Sequence, residues 1–163
     1  MKLVLRVIII GITAFACAWA LREWCWIPYT CNVAISEITA STAASDNLRG
    51  EYAKVQRAEA NLARLRELEP HCRTDVRLYM LLAGNEALAG QPQNAVHNYE
   101  LALTIDRRPE IYIALAEQLI LLGRIDEAVD NYVTAGRFSP AVVEIIPSEE
   151  IARRVRERLQ RRG

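Results

Sequence analysis

Histidine and cysteine are the residues whose types could give this chain catalytic chemistry. His71 directly precedes Cys72, and both follow Pro70, so an imidazole base stands next to a thiol. Adjacent residues seldom face each other, so this spacing does not predict a catalytic dyad. The sequence has no Cys-x-x-Cys motif, no glycine-rich phosphate loop and no metal-spaced cluster. It therefore predicts no enzyme, no metal and no cofactor, and a redox helper acting through His71 and Cys72 is only an alternative.

The cysteines could also form a disulfide. Cys25, Cys31 and Cys72 lie outside the apolar N-terminal run, whereas Cys17 lies within it. Three such residues predict one pair with a free thiol, or a bridge to another molecule. Pairing of Cys31 with Cys72 would tie the N-terminal segment to the following domain, and pairing of Cys25 with Cys31 would close a loop across Pro28. Spacing does not decide between these pairings and ordinary buried thiols.

The composition excludes several protein classes. The 20 basic residues balance 20 acidic ones, so no bulk charge favours nucleic acid. Seven glycines, six prolines and 52% hydrophobic residues exclude a disordered or collagen-like chain. Arginine greatly outnumbers lysine, which is typical of a GC-rich bacterial genome, and arginines cluster between Arg153 and Arg162.

Residues 1–28 are predicted to be a signal-anchor and transmembrane helix. Lys2 and Arg6 precede the uncharged run 7–21, whose fifteen residues reach about 22 Å as a helix. Extension to residues 3–27 would cover the ~30 Å hydrocarbon core and place three tryptophans at the far interface. Because basic residues stay in the cytoplasm, we expect a single-pass protein of the bacterial inner membrane, with a cytoplasmic N-terminus and a periplasmic C-terminal domain.

Other interpretations of the N-terminus remain open. The triplet Ala18-Trp19-Ala20 is typical of a cleaved secretion signal, and cleavage after Ala20 would release a soluble periplasmic peptide-binding module. The tetrapeptide ending at Cys17 is a poor match to a lipoprotein signal. A buried core helix, or an array that faces the cytoplasm as a regulatory adaptor, is a further alternative.

Residues 76–108 and 109–141 repeat each other at an offset of 33 residues. Identical residues recur at this offset, among them eight pairs with helical spacing between them. The matched pairs are Tyr79 and Tyr112, Leu82 and Leu115, Ala83 and Ala116, Gly90 and Gly123, Ala95 and Ala128, Asn98 and Asn131, Tyr99 and Tyr132, and Ala102 and Ala135. Each unit has one apolar helical stripe, a glycine that ends the helix, and a second stripe. The repeat therefore predicts two consecutive helical hairpins.

This pattern resembles the tetratricopeptide repeat family, in which aromatic, leucine, small, glycine and proline positions recur across about 34 residues. The second unit, which reaches Pro140, fits better than the first, where Arg107 stands at the proline position. The resemblance implies an all-α array that binds partners along a concave groove. Carried over by position, the groove residues are Arg77, Met80, Gly84, Ala87, Glu110, Ile113, Glu117 and Ile120.

The groove positions do not carry the set of lysine, arginine and asparagine residues with which part of this family grips a peptide carboxylate. We therefore expect an apolar helix or an extended segment as the ligand. The alternative is that the chain's own N-terminal helices fill the groove.

Two hairpins bury their faces only against neighbours, so the flanking residues should supply more helices. Residues 29–70 are predicted to be a stalk and a degenerate hairpin that Pro70 ends, its first part, 32–47, being a partner helix or a long connecting helix. Residues 142–163 are predicted to be an Arg-rich capping helix that starts at Ser148.

Together these features predict a non-catalytic, membrane-anchored scaffold or adaptor, an accessory subunit of a bacterial membrane complex. Its partners would be other membrane or periplasmic proteins and not nucleic acid. The C-terminal arginines could contact anionic lipid, or the helix could be a solvated cap.

Overall fold

The computed structural model describes residues 2–45 and 50–161, with side chains from Ile10 to Ala44 and from Gly50 onward. Parts of the predicted anchor, of the degenerate hairpin and of the arginine cluster, including Arg162, lie outside the described residues. Within them the chain forms eight α-helices, one π-helical turn and one 3-10 segment, and no strand. They are α1 (Lys2–Leu21), the π turn (Arg22–Trp26), α2 (Ile27–Ser45), α3 (Glu51–Cys72), α4 (Val76–Leu88), α5 (Pro92–Ile105), α6 (Pro109–Leu121), α7 (Ile125–Phe138), the 3-10 segment (Pro140–Ile145) and α8 (Glu149–Gln160).

The N-terminal helix contradicts the predicted location in the inner membrane. Within the described residues, no helix combines the length and the apolar character that a bilayer crossing requires. The uncharged run 7–21 reaches only about 22 Å, and extending it brings in Arg6 at one end and Arg22 at the other. The prediction of a single-pass inner-membrane protein with a periplasmic domain is therefore wrong, and the membrane segment over residues 3–27 is unsupported.

Helices α1 and α2 run into each other through the π turn, without an intervening loop. Pro28 follows the π turn inside this continuous helical structure, so Cys25 and Cys31 lie on helical turns rather than in a tight loop. Helix α2 packs against α3, which makes it the partner helix of the degenerate hairpin.

Helix α3 ends two residues later than predicted. Pro70 lies inside its last turn, and the helix continues to Cys72. Pro70 removes one helical hydrogen bond, and the disulfide between Cys31 and Cys72 holds the last turn of α3 against α2. Proline alone was therefore a poor guide to the helix end.

Helices α4 and α5, and then α6 and α7, form two successive hairpins within the repeats. Pro92 and Pro109 begin α5 and α6, where a proline's missing N–H costs least. Gly90 and Gly123 follow α4 and α6 with φ near +71° and +72°, and they give both turns the same left-handed C-terminal cap. The repeat is therefore present in backbone conformation as well as in sequence.

One continuous core runs through the array, because each helix from α2 onward packs against the next one. The matched repeat positions supply much of this core. The buried members are Tyr79, Leu82, Ala83, Ala95, Tyr99, Ala102, Leu115, Ala116, Ala128, Tyr132 and Ala135. At the C-terminal end, the 3-10 segment and α8 pack on α7, and the Ser148 hydroxyl caps α8 by accepting from the Ile151 N–H.

Candidate partner-binding groove

Helices α4 and α6 present matching stripes of side chains that the core leaves uncovered. Met80, Gly84 and Ala87 on α4 are half-buried, and so are Ile113 and Ile120 on α6. The charged members Arg77, Glu110 and Glu117 are exposed. Both helices pack against α5, and the repeat resemblance predicts that the two stripes line one concave surface. We call this surface the groove.

Tyr99 of α5 connects the two stripes beneath the groove. Its hydroxyl oxygen lies 4.0 Å from the position that a Cβ at Gly84 would take. The same side chain also feels the charge of Glu117, since burial and then this carboxylate raise the pKa of Tyr99 to about 12. The Tyr99 hydroxyl therefore lies beside Gly84 of the α4 stripe, and its ring is influenced by Glu117 of the α6 stripe.

The charge of Glu117 also acts on a second tyrosine, Tyr132 of α7. Burial and the Glu117 charge also raise the pKa of Tyr132 to about 12. Tyr132 is 1% exposed, and its hydroxyl has no hydrogen-bond partner among the described residues. Burial raises the pKa of the Glu117 carboxyl itself above its usual 4.5. The Glu117 side chain is nevertheless exposed overall, and its carboxylate forms no ion pair with any described residue.

Arg77 at the start of α4 is already engaged within the chain. Its guanidinium donates to both carboxylate oxygens of Asp75, the closest contact being 2.6 Å, and to the Asn32 carboxamide of α2 at 3.0 Å. These bonds raise the pKa of Arg77 and lower that of Asp75. This cation therefore helps to hold α2 beside α4 and offers little free charge to the groove.

The described part of α1 does not cover the groove. Every side chain from Ile10 to Leu21 is exposed, including Phe15 at 73%. This argues against the interpretation in which that helix occupies the groove.

A polar cleft of about 690 Å³ adjoins the Arg77 end of the groove. The disulfide, with a Cα–Cα distance of 5.8 Å, forms part of its wall. Its polar lining includes Glu23, His71 and Thr74, together with the acidic and basic residues of the two helix starts, Asp75, Arg77, Asp106 and Arg108. Cys72 has no free thiol in this state, so His71 faces no nucleophile there. Cys25 and Cys17 are the free cysteines, and both are exposed.

Sequence reasoning missed a buried polar network between α2, α3 and α4. Asn61 of α3 donates to the Asn85 carbonyl oxygen of α4 at 3.1 Å, and both carboxamides donate to the Thr42 hydroxyl of α2 at 3.2 Å. The available signal was Asn85-Glu86, two polar residues at core positions of an otherwise apolar helix. Such a network favours one helix register, because any shift would bury unsatisfied amides.

The C-terminal helix directs most of its arginines at acidic residues of the chain. Arg154 and Arg158 pair with Asp126 and Asp130 of α7. Arg153 bridges Glu150 and Glu157 within α8, and Arg156 pairs with Glu149. Contact with anionic lipid stays a prediction, and these cations would have to leave their partners to make it.

Comparison with solved structures bears on the fold. A tetratricopeptide repeat protein of Thermus thermophilus matches at 22% identity and a TM-score of 0.62, covering 88% of this chain and 69% of that one. The type III secretion chaperone SycD of Yersinia enterocolitica, in complex with a peptide of the translocator YopD, matches at 20% identity and 0.51, covering 77% and 92%. PcrH, in complex with the chaperone-binding region of PopD, matches at 20% and 0.50, covering 77% and 90%.

These likenesses confirm the predicted tetratricopeptide-like, all-helical fold. No protein-family model matches the sequence, and comparison with curated proteins found no match. The similar structures are described as a repeat protein and as chaperones bound to segments of partner proteins.

Proposed function

We propose that this chain is a non-catalytic protein-binding module that holds a segment of a partner protein in the groove between α4 and α6. In this role it serves as an adaptor or accessory subunit of a bacterial protein complex. One observation carries the proposal. The stripes on α4 and α6 both combine half-buried apolar side chains with exposed charged ones, and the described part of α1 leaves its own side chains exposed instead of packing on them.

The chemistry of the stripes suits a peptide better than a small substrate. Met80, Ile113 and Ile120 are partly buried against the core and offer apolar surface at fixed helical spacing. A partner segment would gain by covering this surface, since apolar area removed from water contributes about 25 cal/mol per Å². The partner-bound forms of SycD and PcrH support the same kind of use for this fold.

The exposed apolar side chains of the N-terminal helix support a place in a larger assembly. Phe15, Trp19, Trp24 and Trp26 are each more than half exposed. Large exposed apolar patches mark interaction surfaces in most folded proteins. The groove and this helix would then give an accessory subunit two separate contacts.

Site-specific crosslinking in the native host tests the groove. A photoreactive phenylalanine at Met80 or at Ile113 should crosslink to the same partner segment, identified by mass spectrometry. Thr104, exposed on α5, is the matched control position and should give no such product. Met80→Asp and Ile113→Asp should abolish co-purification of that partner while leaving the helical circular dichroism unchanged. Equal crosslinking from Thr104, or partner binding that survives both aspartates, would exclude the groove as the site.

A further inference from the structure

The acidic groups of the groove lack cations to balance them. Glu110 and Glu117 lie seven residues apart on α6, which places them two helical turns, about 10 Å, apart on one face. Neither carboxylate forms an ion pair with any described residue of the chain. Two arginines at the helix starts are occupied, because Arg77 is bound by Asp75 and Arg108 by Asp106 at 2.5 Å. The groove therefore carries net negative charge on its α6 side.

Of the two acids, Glu117 is the one whose charge acts on the buried tyrosines of α5 and α7. Its charge acts on both Tyr99 and Tyr132, and partial burial raises its own pKa although the side chain is exposed overall. The hydroxyl of Tyr132 is fully buried without a partner among the described residues. An opposite charge interacts more strongly with a partly desolvated carboxylate than with a fully hydrated one. A cationic group bound here would relieve the cost that burial imposes on Glu117.

Apolar side chains alternate with these acids along the same stripe. Ile113 follows Glu110 by three residues, and Ile120 follows Glu117 by three. Leu121, beside the second pair, is 70% exposed. Along α6 the groove thus presents an acid, an isoleucine, a second acid and a second isoleucine.

We infer that the groove selects a basic, amphipathic segment whose lysine or arginine side chains lie about 10 Å apart, with apolar side chains between them. This inference rests on the proposed function and names its partner chemistry. The cations meet Glu110 and Glu117, and the apolar side chains cover Ile113, Ile120 and the Met80 side of the groove. Charge complementarity of this kind chiefly gives specificity and fast association.

Peptide display tests the inference with the full chain as bait. A library of random twelve-residue peptides is selected against the immobilised, oxidised protein, and enriched peptides are measured by titration calorimetry. We expect enrichment of peptides that combine lysine or arginine with leucine, isoleucine or phenylalanine. Their binding should weaken about tenfold or more with Glu117→Gln, and it should weaken as salt concentration rises. Glu59→Gln, an exposed acid on α3, is the matched control and should not change binding.

A charge reversal separates recognition from a merely structural effect. The variant Glu117→Lys should lose the basic peptides and gain affinity for the same peptides with glutamate in place of lysine. Enrichment of acidic or neutral peptides, lost with Met80→Asp but indifferent to Glu117→Gln, would overturn the inference and leave the proposed function standing. Selected peptides that bind equally well to Met80→Asp and Ile113→Asp would overturn the proposed function itself. Circular dichroism of each variant confirms that it is folded.

Discussion

The Asn98 carboxamide of α5 donates a 2.7 Å hydrogen bond to the Glu86 carboxylate of α4, at a place where neither side chain is more than 9% exposed. The guanidinium of Arg66 from α3 approaches the other carboxylate oxygen at 3.6 Å. Three consecutive helices thus meet at one buried acid. In the second repeat, Leu119 occupies the position equivalent to Glu86. The two hairpins therefore share a backbone conformation but differ in the polar contacts within their cores.

Asn98→Ala should destabilise the chain by about 1–3 kcal/mol, because it leaves a buried carboxylate without its closest donor. Its repeat equivalent provides the control. Asn131 donates only to the Glu127 carbonyl within its own helix, so Asn131→Ala should cost about 0.5 kcal/mol or less. Urea unfolding followed by circular dichroism measures both. Equal losses for the two variants would show that the Asn98–Glu86 bond contributes nothing specific.

The repeat period carried most of what the sequence could predict about the fold. Small and aromatic residues at helical spacing, with Gly90 and Gly123 at the turns, predict helical hairpins from local sequence alone. The Asn61–Asn85–Thr42 network joins residues from three helices and has no period. Such a network can be recognised only once the three helices are placed together, so the sequence alone does not predict it.

The N-terminal prediction failed for a different reason. Hydropathy alone does not distinguish a bilayer-spanning helix from an apolar helix that another protein covers, and the uncharged run was short from the outset. The groove was predicted by position from the repeat resemblance. The influence of Glu117 on Tyr99 and Tyr132 involves side chains from α5 and α7. The residue spacing within α6 could therefore not reveal it.

Two glycines should respond in opposite directions to the same substitution. Gly123 has φ of +72°, so Gly123→Ala should lose about 1 kcal/mol through left-handed strain. Gly84 lies inside α4 with ordinary helical geometry, and an added methyl group would only touch the Tyr99 hydroxyl at 4.0 Å. Gly84→Ala should therefore gain about 0.5–1 kcal/mol from helix propensity. Thermal unfolding of both variants distinguishes the cases, and the same sign for both would contradict the assigned backbone conformations.

The Cys31–Cys72 disulfide should contribute substantially to stability. It joins residues separated by 41 positions, and closing a loop of this length restricts the unfolded chain by about 4 kcal/mol in the chain-entropy view. Cys72→Ser should lower the urea midpoint to that of the reduced wild-type chain, and reduction should have no further effect on the variant. Cys25→Ser should leave the oxidised protein unchanged, since Cys25 is free. Peptide mapping that found Cys25 bonded to Cys31 would contradict the pairing.

Glu117 should make stability depend on pH in a defined direction. Its pKa in the folded chain lies above the usual 4.5 because of burial, so the folded state holds the proton more tightly than the unfolded state. The carboxyl therefore costs no stability below that usual value, and the cost develops as the pH rises through the folded pKa. Glu117→Gln, which is neutral at every pH, should raise the melting temperature at about pH 7 and leave it unchanged at about pH 4.

The exposed acid Glu59, whose side chain is not buried by the core, provides the comparison for this experiment. Glu59→Gln should give the same melting temperature as the wild-type chain at both values of pH. A Glu117→Gln variant that is less stable at neutral pH would mean that the carboxylate has a stabilising partner in the free protein. It would then be unavailable to a cationic ligand. A stability gain of Glu117→Gln that appears only above the usual pKa would instead show that the ionised Glu117 carboxylate has no compensating partner in the free protein.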